Sequence, residues 1–288
     1  MAIPVLKPDL IEPAELRRIV AANDVLLIDT RPSEAYARGR IPGAVNLPEL
    51  FTHDFRSDAA GEAQFAALCE DWFGRAGVRA GRSVVVYEEA MTGGLGRSCR
   101  GALILRHAGH DDVRVLHGGL RGWIAEGGAL TRTGGGPEST VFHATPGGAG
   151  VFVGRDDVLA ALRAGGEAIV DVRDAAEWRA ETSAPAGVAE CPRRGRLPGA
   201  LWLPWTSLLD TGPQPRFREP GVIRAICAAH GVEPGRPVLL YCYKGARASN
   251  SYIGLRRAGF PSVRIYLASW KEWSAELNLP IDDRLIPA

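Results

Sequence analysis

Cysteine is scarce in this chain: five in 288 residues. That is too few, and an odd number, for a disulfide framework, so reduced thiols and a cytoplasmic setting are expected. No run approaches the ~20 apolar residues of a membrane span, and the opening MAIPVLKPDL lacks the long apolar core of a secretion signal. Net charge is almost absent. The 34 Lys+Arg against 33 Asp+Glu leave +1, so no global field draws the chain to nucleic acid or an anionic membrane. The six histidines are scattered and no Cys/His pair has metal-ligand spacing, so neither metal nor cofactor is expected. What is there is ordinary folded-protein usage, 46% hydrophobic and 23% charged. At roughly 100–200 residues per domain, the length suggests two domains.

The chain repeats itself. VLLIDTRPSEAYARGRIPGAVNLP (25–48) has a counterpart in AIVDVRDAAEW and RRGRLPGALWLP (168–204). Asp29 and Asp171 lie 142 positions apart, Arg40 and Arg196 lie 156 apart, so the second copy carries 14 extra residues between them, around ETSAPAGVAECP. VVVY (84–87) then matches VLLY (238–241), LRHAG (105–109) matches LRRAG (255–259), and VRVLHGGLRGW (113–123) matches VRIYLASWKEW (263–273). Four blocks in one order, twice, point to duplication. VLLID, VVVY and VRVL are short continuous runs, expected for parallel strands buried on both faces. Helical patterns such as PAELRRIVAAN (13–23) and RDDVLAALRAG (155–165) lie between them. The fold predicted is therefore α/β, two tandem domains, each a mainly parallel sheet with helices on both faces. Residues 1–131 form the first domain, 132–150 a linker rich in Gly, Pro, Ser and Thr that lies along the domains, and 151–288 the second.

Ligands in open α/β sheets sit beyond the carboxyl ends of strands, so the copies are best compared after VVVY and VLLY. The second continues Cys242-Tyr243-Lys244-Gly245-Ala246-Arg247-Ala248-Ser249; the first has Glu88 in place of the thiol and a glycine-rich stretch four residues longer. Only the second copy can do thiol chemistry. Cys242 leaves a strand and enters a short loop that opens a helix, whose first N–H groups and partial positive charge face the loop. Gly245 lets the loop curl into an anion nest. Lys244 and Arg247 add two cations within five residues of the sulfur. All three favour thiolate over thiol and would cradle an oxyanion.

These features resemble the two-domain rhodaneses, thiosulfate and 3-mercaptopyruvate sulfurtransferases, over about residues 10–285. The resemblance implies that Cys242 takes a sulfane sulfur, becomes a persulfide and passes the sulfur to a thiophilic acceptor, cyanide or a thiol, with a thioredoxin-like or carrier protein as a further partner. It implies an inactive first domain, with Glu88 in the position of the cysteine. It makes the backbone amides of Tyr243, Lys244, Gly245, Ala246, Arg247, Ala248 and Ser249 the stabilisers of the persulfide, and Lys244 and Arg247 the donor's binding cations. Mercaptopyruvate enzymes of the family carry a largely uncharged loop, Cys-Gly-Ser-Gly-Val-Thr or close to it. Two cations match a compact dianion, so thiosulfate is the expected donor and mercaptopyruvate the alternative. Tyr243 replaces the more familiar Arg or Gly, and Glu177 stands where some members place a substrate-binding arginine at the cleft. A phosphatase reading is the runner-up from another reaction class. Related phosphatases have five residues between cysteine and arginine, whereas four separate Cys242 from Arg247. A non-catalytic sulfur-relay or binding module is the third reading.

Asp171 and Arg173 resemble a pair that fixes the active-site loop through charge-assisted hydrogen bonds. Asp29 and Arg31 repeat it in the copy without a catalytic thiol, which argues for a structural role. Arg97 aligns with Arg247 and is expected to pair with Glu88. Trp270 falls in a Ser-Trp-x-x-Trp segment that the family carries near the cleft, whereas Trp273 is read as core. Cys191 lies in the 14-residue insertion and is read as an exposed loop cysteine, the alternative being a second thiol that relays sulfur. Cys69, Cys99 and Cys227 are read as core fillers.

Overall fold

The computed structural model describes residues 9–22, 25–134, 136–147, 150–185 and 191–286. They form two parallel five-stranded sheets flanked by helices. In the first, β1 (Leu10–Ile11), β2 (Val25–Asp29), β3 (Val45–Asn46), β4 (Ser83–Tyr87) and β5 (Val113–Leu116) are ordered β1-β5-β4-β2-β3. Its helices are α1 (Pro13–Ala21), α2 (Ser33–Arg38), α3 (Glu49–Thr52), α4 (Ala59–Arg75), α5 (Arg97–His107) and α6 (Gly119–Ala125). In the second sheet, β6 (Phe152–Val153), β7 (Ala168–Asp171), β8 (Leu201–Trp202), β9 (Val238–Tyr241) and β10 (Val263–Tyr266) follow the same topology, β6-β10-β9-β7-β8. Here the helices are α7 (Arg155–Ala164), α8 (Ala175–Trp178), α9 (Pro220–Ala229), α10 (Ala246–Arg257) and α11 (Ser269–Ala275). The duplication read from sequence is thus a duplication of fold. Register repeats too: Asp29 faces Tyr87 across β2 and β4, and Asp171 faces Tyr241 across β7 and β9.

All five residues of β2 are buried, as a parallel strand covered on both faces requires. Val25 and Leu27 join one cluster with Val85, Tyr87, Leu116 and Trp123, while Leu26 and Ile28 are buried outside it, the period-2 alternation of a strand. Around the second sheet, Ile169, Leu239, Tyr241, Tyr266, Trp270 and Trp273 pack together.

Two compact units emerge, one drawn from Met1–Thr52, Ala66–Gly148 and Thr211–Arg216, the other from His53–Phe65, Ala149–Asp210 and Phe217–Ala288. A stretch of the first copy, 53–65, therefore belongs to the second unit. Within the first unit the Gly- and Thr-rich stretch after Thr131 runs along the folded body. Thr140 N–H donates to Gly74 O at 2.9 Å and its hydroxyl to Val78 O at 2.6 Å, and Thr145 N–H donates to Ala108 O at 2.9 Å. Gly135, Gly148, Ala149 and residues 186–190 of the insertion lie outside the described residues. No helix among the described residues is long and apolar enough to cross a membrane.

Candidate active site

Cys242 sits at the carboxyl end of β9, and α10 starts four residues later. Its residue is 1% exposed. Gly245 turns the chain with φ +88°, and a Cβ there would lie 2.6 Å from Leu267 O, so no other residue fits without moving the backbone. That turn aims the Gly245 N–H at Cys242 Sγ, 3.1 Å away. The N–H groups of Ala246, Arg247 and Ala248 open α10 with no intrahelical partner, adding the positive end of the helix dipole. Ser249 differs from expectation. Its N–H closes the first helical turn on Gly245 O at 2.9 Å, and its hydroxyl donates to the same oxygen at 2.8 Å.

Three residues of α11 brace the loop from behind, and the sequence reading missed two of them. Cys242 N–H donates to Ser269 Oγ at 3.2 Å, and Ser269 Oγ donates to Tyr266 O at 2.6 Å. Trp270 N–H donates to Cys242 O at 3.1 Å and Lys271 N–H to Tyr243 O at 3.0 Å. The first unit has the same brace: Leu120 N–H to Glu88 O at 2.8 Å and Arg121 N–H to Glu89 O at 3.0 Å. The Trp270 and Lys271 bonds run main chain to main chain, so side-chain identity carries little trace of them. The repeat block VRIYLASWKEW was the available signal.

Asp171 and Arg173 are fully buried and joined by Nη2–Oδ2 and Nε–Oδ1 contacts of 2.6 and 2.9 Å. Tyr241 Oη donates to Asp171 Oδ2 at 2.7 Å, and Arg173 Nη2 donates to Gly195 O at 2.7 Å. Burial works against the Arg173 charge, but Asp171 and Tyr241 outweigh it and hold the guanidinium above its ordinary range. Burial, then Asp171, pushes the Tyr241 hydroxyl well up, so it stays a donor. The pair therefore locks the strand end that precedes Cys242. Asp29, Arg31 and Gly39 O repeat the geometry in the unit that has Glu88 in place of the loop thiol, at 2.7 Å for both Arg31 Nη2 contacts.

Four side chains of the second unit depart from the sequence reading. The Arg247 guanidinium does not stand open to a donor. It is 2% exposed and engaged by Glu177 at 2.5 and 2.9 Å and by Asp174 at 2.9 Å. Burial disfavours its charge, yet Glu177 keeps it above the ordinary arginine range. Glu177 is accordingly no open cleft residue: it is 1% exposed and also caps α8 by accepting the Asp174 N–H at 3.3 Å. The Asp-x-x-Glu pattern of a capping box is legible in DAAE, 174–177. Trp270 is fully buried rather than facing a cleft, with its ring 4.7 Å from the Arg173 guanidinium carbon and its Nε1–H on Arg193 O at 3.2 Å. Cys191 is buried at 6% in the cluster around Trp270, because Arg193 ties its segment to Trp273 O, Ser274 O and Glu276 O. Trp273, Cys69, Cys99 and Cys227 are buried.

Lys244 is held by Asp54, Nζ to Oδ1 3.4 Å, and Lys271 approaches the same carboxylate at 2.6 Å. Burial pushes the Asp54 carboxyl up, but the two ammonium groups prevail and set it below the usual carboxylate range. Asp54, Lys244, Lys271, Arg155, Glu272 and Glu276 help line a cavity of about 330 Å³ within the second unit. Asp54 left no sequence signal, since no spacing rule links it to a loop in the other copy.

In the first unit the thiol's place is filled by a carboxylate. Glu88 is wholly buried and accepts the Ser98 hydroxyl at 2.8 Å and the Arg97 N–H at 3.2 Å. Burial pushes its pKa up to about 7, and these donors pull back only part of the way. The Arg97 side chain, expected to pair with Glu88, instead lies over the Phe51 ring at 3.7 Å; its main chain supplies the hydrogen bond.

The rhodanese-like domain model matches the chain twice, at residues 12–126 and 155–276. This chain belongs to the rhodanese family of sulfurtransferases. It is 30% identical to the thiosulfate sulfurtransferase of Azotobacter vinelandii over 96% of this chain and 97% of that protein. It is 31% identical to the 3-mercaptopyruvate sulfurtransferase of Escherichia coli K12, over 88% of this chain and 87% of the other. Among solved structures its fold resembles the anaerobic ergothioneine biosynthesis enzyme of Chlorobium limicola, with a TM-score of 0.82 and 24% identity over 100% of this chain and 73% of that one.

Proposed function

We propose that this rhodanese moves a sulfane sulfur from thiosulfate, through a persulfide on Cys242, to a thiol or cyanide. The observation that carries the reading is the Gly245 N–H aimed at Cys242 Sγ, 3.1 Å away, beside the open start of α10. The Cys242 thiolate attacks the outer sulfur of thiosulfate; the S–S bond breaks and sulfite leaves with the bonding pair. The negative charge then sits on the terminal persulfide sulfur, where the Gly245 amide and the amides of Ala246, Arg247 and Ala248 would stabilise it. An acceptor thiolate, or cyanide, attacks that sulfur and Cys242 departs as thiolate, with no net proton or electron from the protein. Lys244 meets the donor's oxyanion end. Arg247 acts through Glu177, holding the loop rather than the donor, and Asp171 and Arg173 fix the strand behind it. Residues 151–288 are then the catalytic domain, and 1–131, with Glu88 in the nest, a non-catalytic copy joined by 132–150.

A second reading, mercaptopyruvate as donor, is favoured by the engagement of Arg247, which leaves the loop fewer open cations than its sequence suggests. Steady-state transfer to cyanide with both donors in parallel decides between them. The proposal expects the higher kcat/KM with thiosulfate; a higher value with mercaptopyruvate rejects it.

A further inference from the structure

The loop's two cations are not equivalent. Arg247 is buried against Glu177, and turning it to a substrate would strand a buried carboxylate. Lys244 is different: its side chain is 20% exposed, and the second ammonium beside it comes from Lys271, 30% exposed, not from the loop. Both amines converge on one carboxylate, Asp54, itself 40% exposed. Both are also tied to the chain at the sulfur. Lys244 lies two residues along the loop, and the Lys271 N–H holds Tyr243 O while the neighbouring Trp270 N–H holds Cys242 O.

The other charges around the cavity have their own partners. Arg56 is on Asp58, Arg155 on Asp156 and Glu276, and Glu272 accepts the Ser57 N–H at 2.8 Å and the Tyr266 hydroxyl at 2.6 Å. The Glu272 contact pins Ser57, and thereby the strand of chain that presents Asp54.

We propose that Lys244 and Lys271 form the anion-binding pair for the sulfur donor, and that Asp54 is an affinity-setting residue, a resident carboxylate that the donor displaces. This rests on Cys242 being the sulfur carrier. Two ammonium groups that share one carboxylate are spaced for one compact anion, and they gain more from a dianion than from Asp54. Exposed ion pairs are weak, so the exchange costs little, whereas the buried Arg247 pair does not open. Asp54 thus lowers affinity for every anion that must displace it by a common factor, so it sets the donor concentration at which the site fills.

The test measures KM for thiosulfate and binding of sulfate, an unreactive dianion, by calorimetry. Asp54→Asn keeps the shape and removes the charge. It should tighten both about threefold, with the change in KM rather than kcat and with the gain fading at high salt. Lys271→Met should weaken both severalfold. Unchanged or weaker binding in Asp54→Asn overturns the proposal. Thiosulfate loading of the wild-type protein separates the two claims. If no sulfur is added to Cys242, the carrier reading fails, while sulfate binding still decides the lysine pair.

Discussion

Removing the charge of Glu177 is a sharp perturbation of the loop, because it touches neither Cys242 nor a donor. Arg247 and Glu177 are 2% and 1% exposed and share two contacts of 2.5 and 2.9 Å. In Glu177→Gln the amide keeps one acceptor but turns its NH₂ toward the guanidinium, leaving a buried cation half-compensated. Breaking a buried pair this way costs about 3–5 kcal/mol. Asp174 keeps a 2.9 Å contact from a side chain 52% exposed, which places the expected loss nearer the lower end, about 3 kcal/mol. At about 2–4 °C per kcal/mol that is a fall of roughly 6–12 °C in midpoint. The assay is unfolding followed by tryptophan fluorescence. Five of the seven tryptophans, Trp178, Trp202, Trp205, Trp270 and Trp273, lie in the second unit, so the signal reports mainly the unit that holds the pair. Asp174→Asn, at the exposed end, should cost less than about 1 kcal/mol. The reasoning is refuted if Glu177→Gln is no worse than Asp174→Asn.

Two further outcomes follow from the same geometry. Gly245→Ala would force a left-handed φ of +88° and push a methyl to 2.6 Å from Leu267 O. It should cost about 1–3 kcal/mol and move the N–H off Cys242 Sγ, cutting sulfur loading severely; a variant that loads at the wild-type rate would show that this bond is dispensable. For Glu88, the folded pKa of about 7 exceeds the ordinary glutamate value near 4.3, so the native state holds the proton longer. Its contribution to stability is full below about pH 4.3 and is lost as pH rises through about 7, by at most about 4 kcal/mol. Glu88→Gln should therefore gain on the wild type between pH 5 and 7.5; parallel pH–stability curves for the two would contradict that sign.

The fold was legible because buried parallel strands leave continuous apolar runs, VLLID, VVVY and VLLY, and because duplication printed them twice in one order. The Cys242 loop was legible because its chemistry is local: thiol, turn glycine and helix start fall within a few residues. What escaped is what sequence separation hides. Asp54 reaches Lys244 from the other copy, Ser269 accepts the Cys242 N–H through its hydroxyl from 27 residues away, and Lys271 acts on the loop through a main-chain bond. Charge counting also misled at Arg247, since two cations near a thiol say nothing of whether a buried carboxylate already holds one. Cys191 was placed on the surface by the habit of insertions, yet four arginine hydrogen bonds from Arg193 draw its segment into the core.

The measurement that bears most directly on the account is the intact mass of the protein after exposure to thiosulfate and removal of the excess, with Cys242→Ala alongside. The account predicts a gain of one sulfur atom on the wild type, located at Cys242, released by cyanide or a thiol, and no gain on the variant. Equal sulfur on both proteins, or none on either, would contradict it.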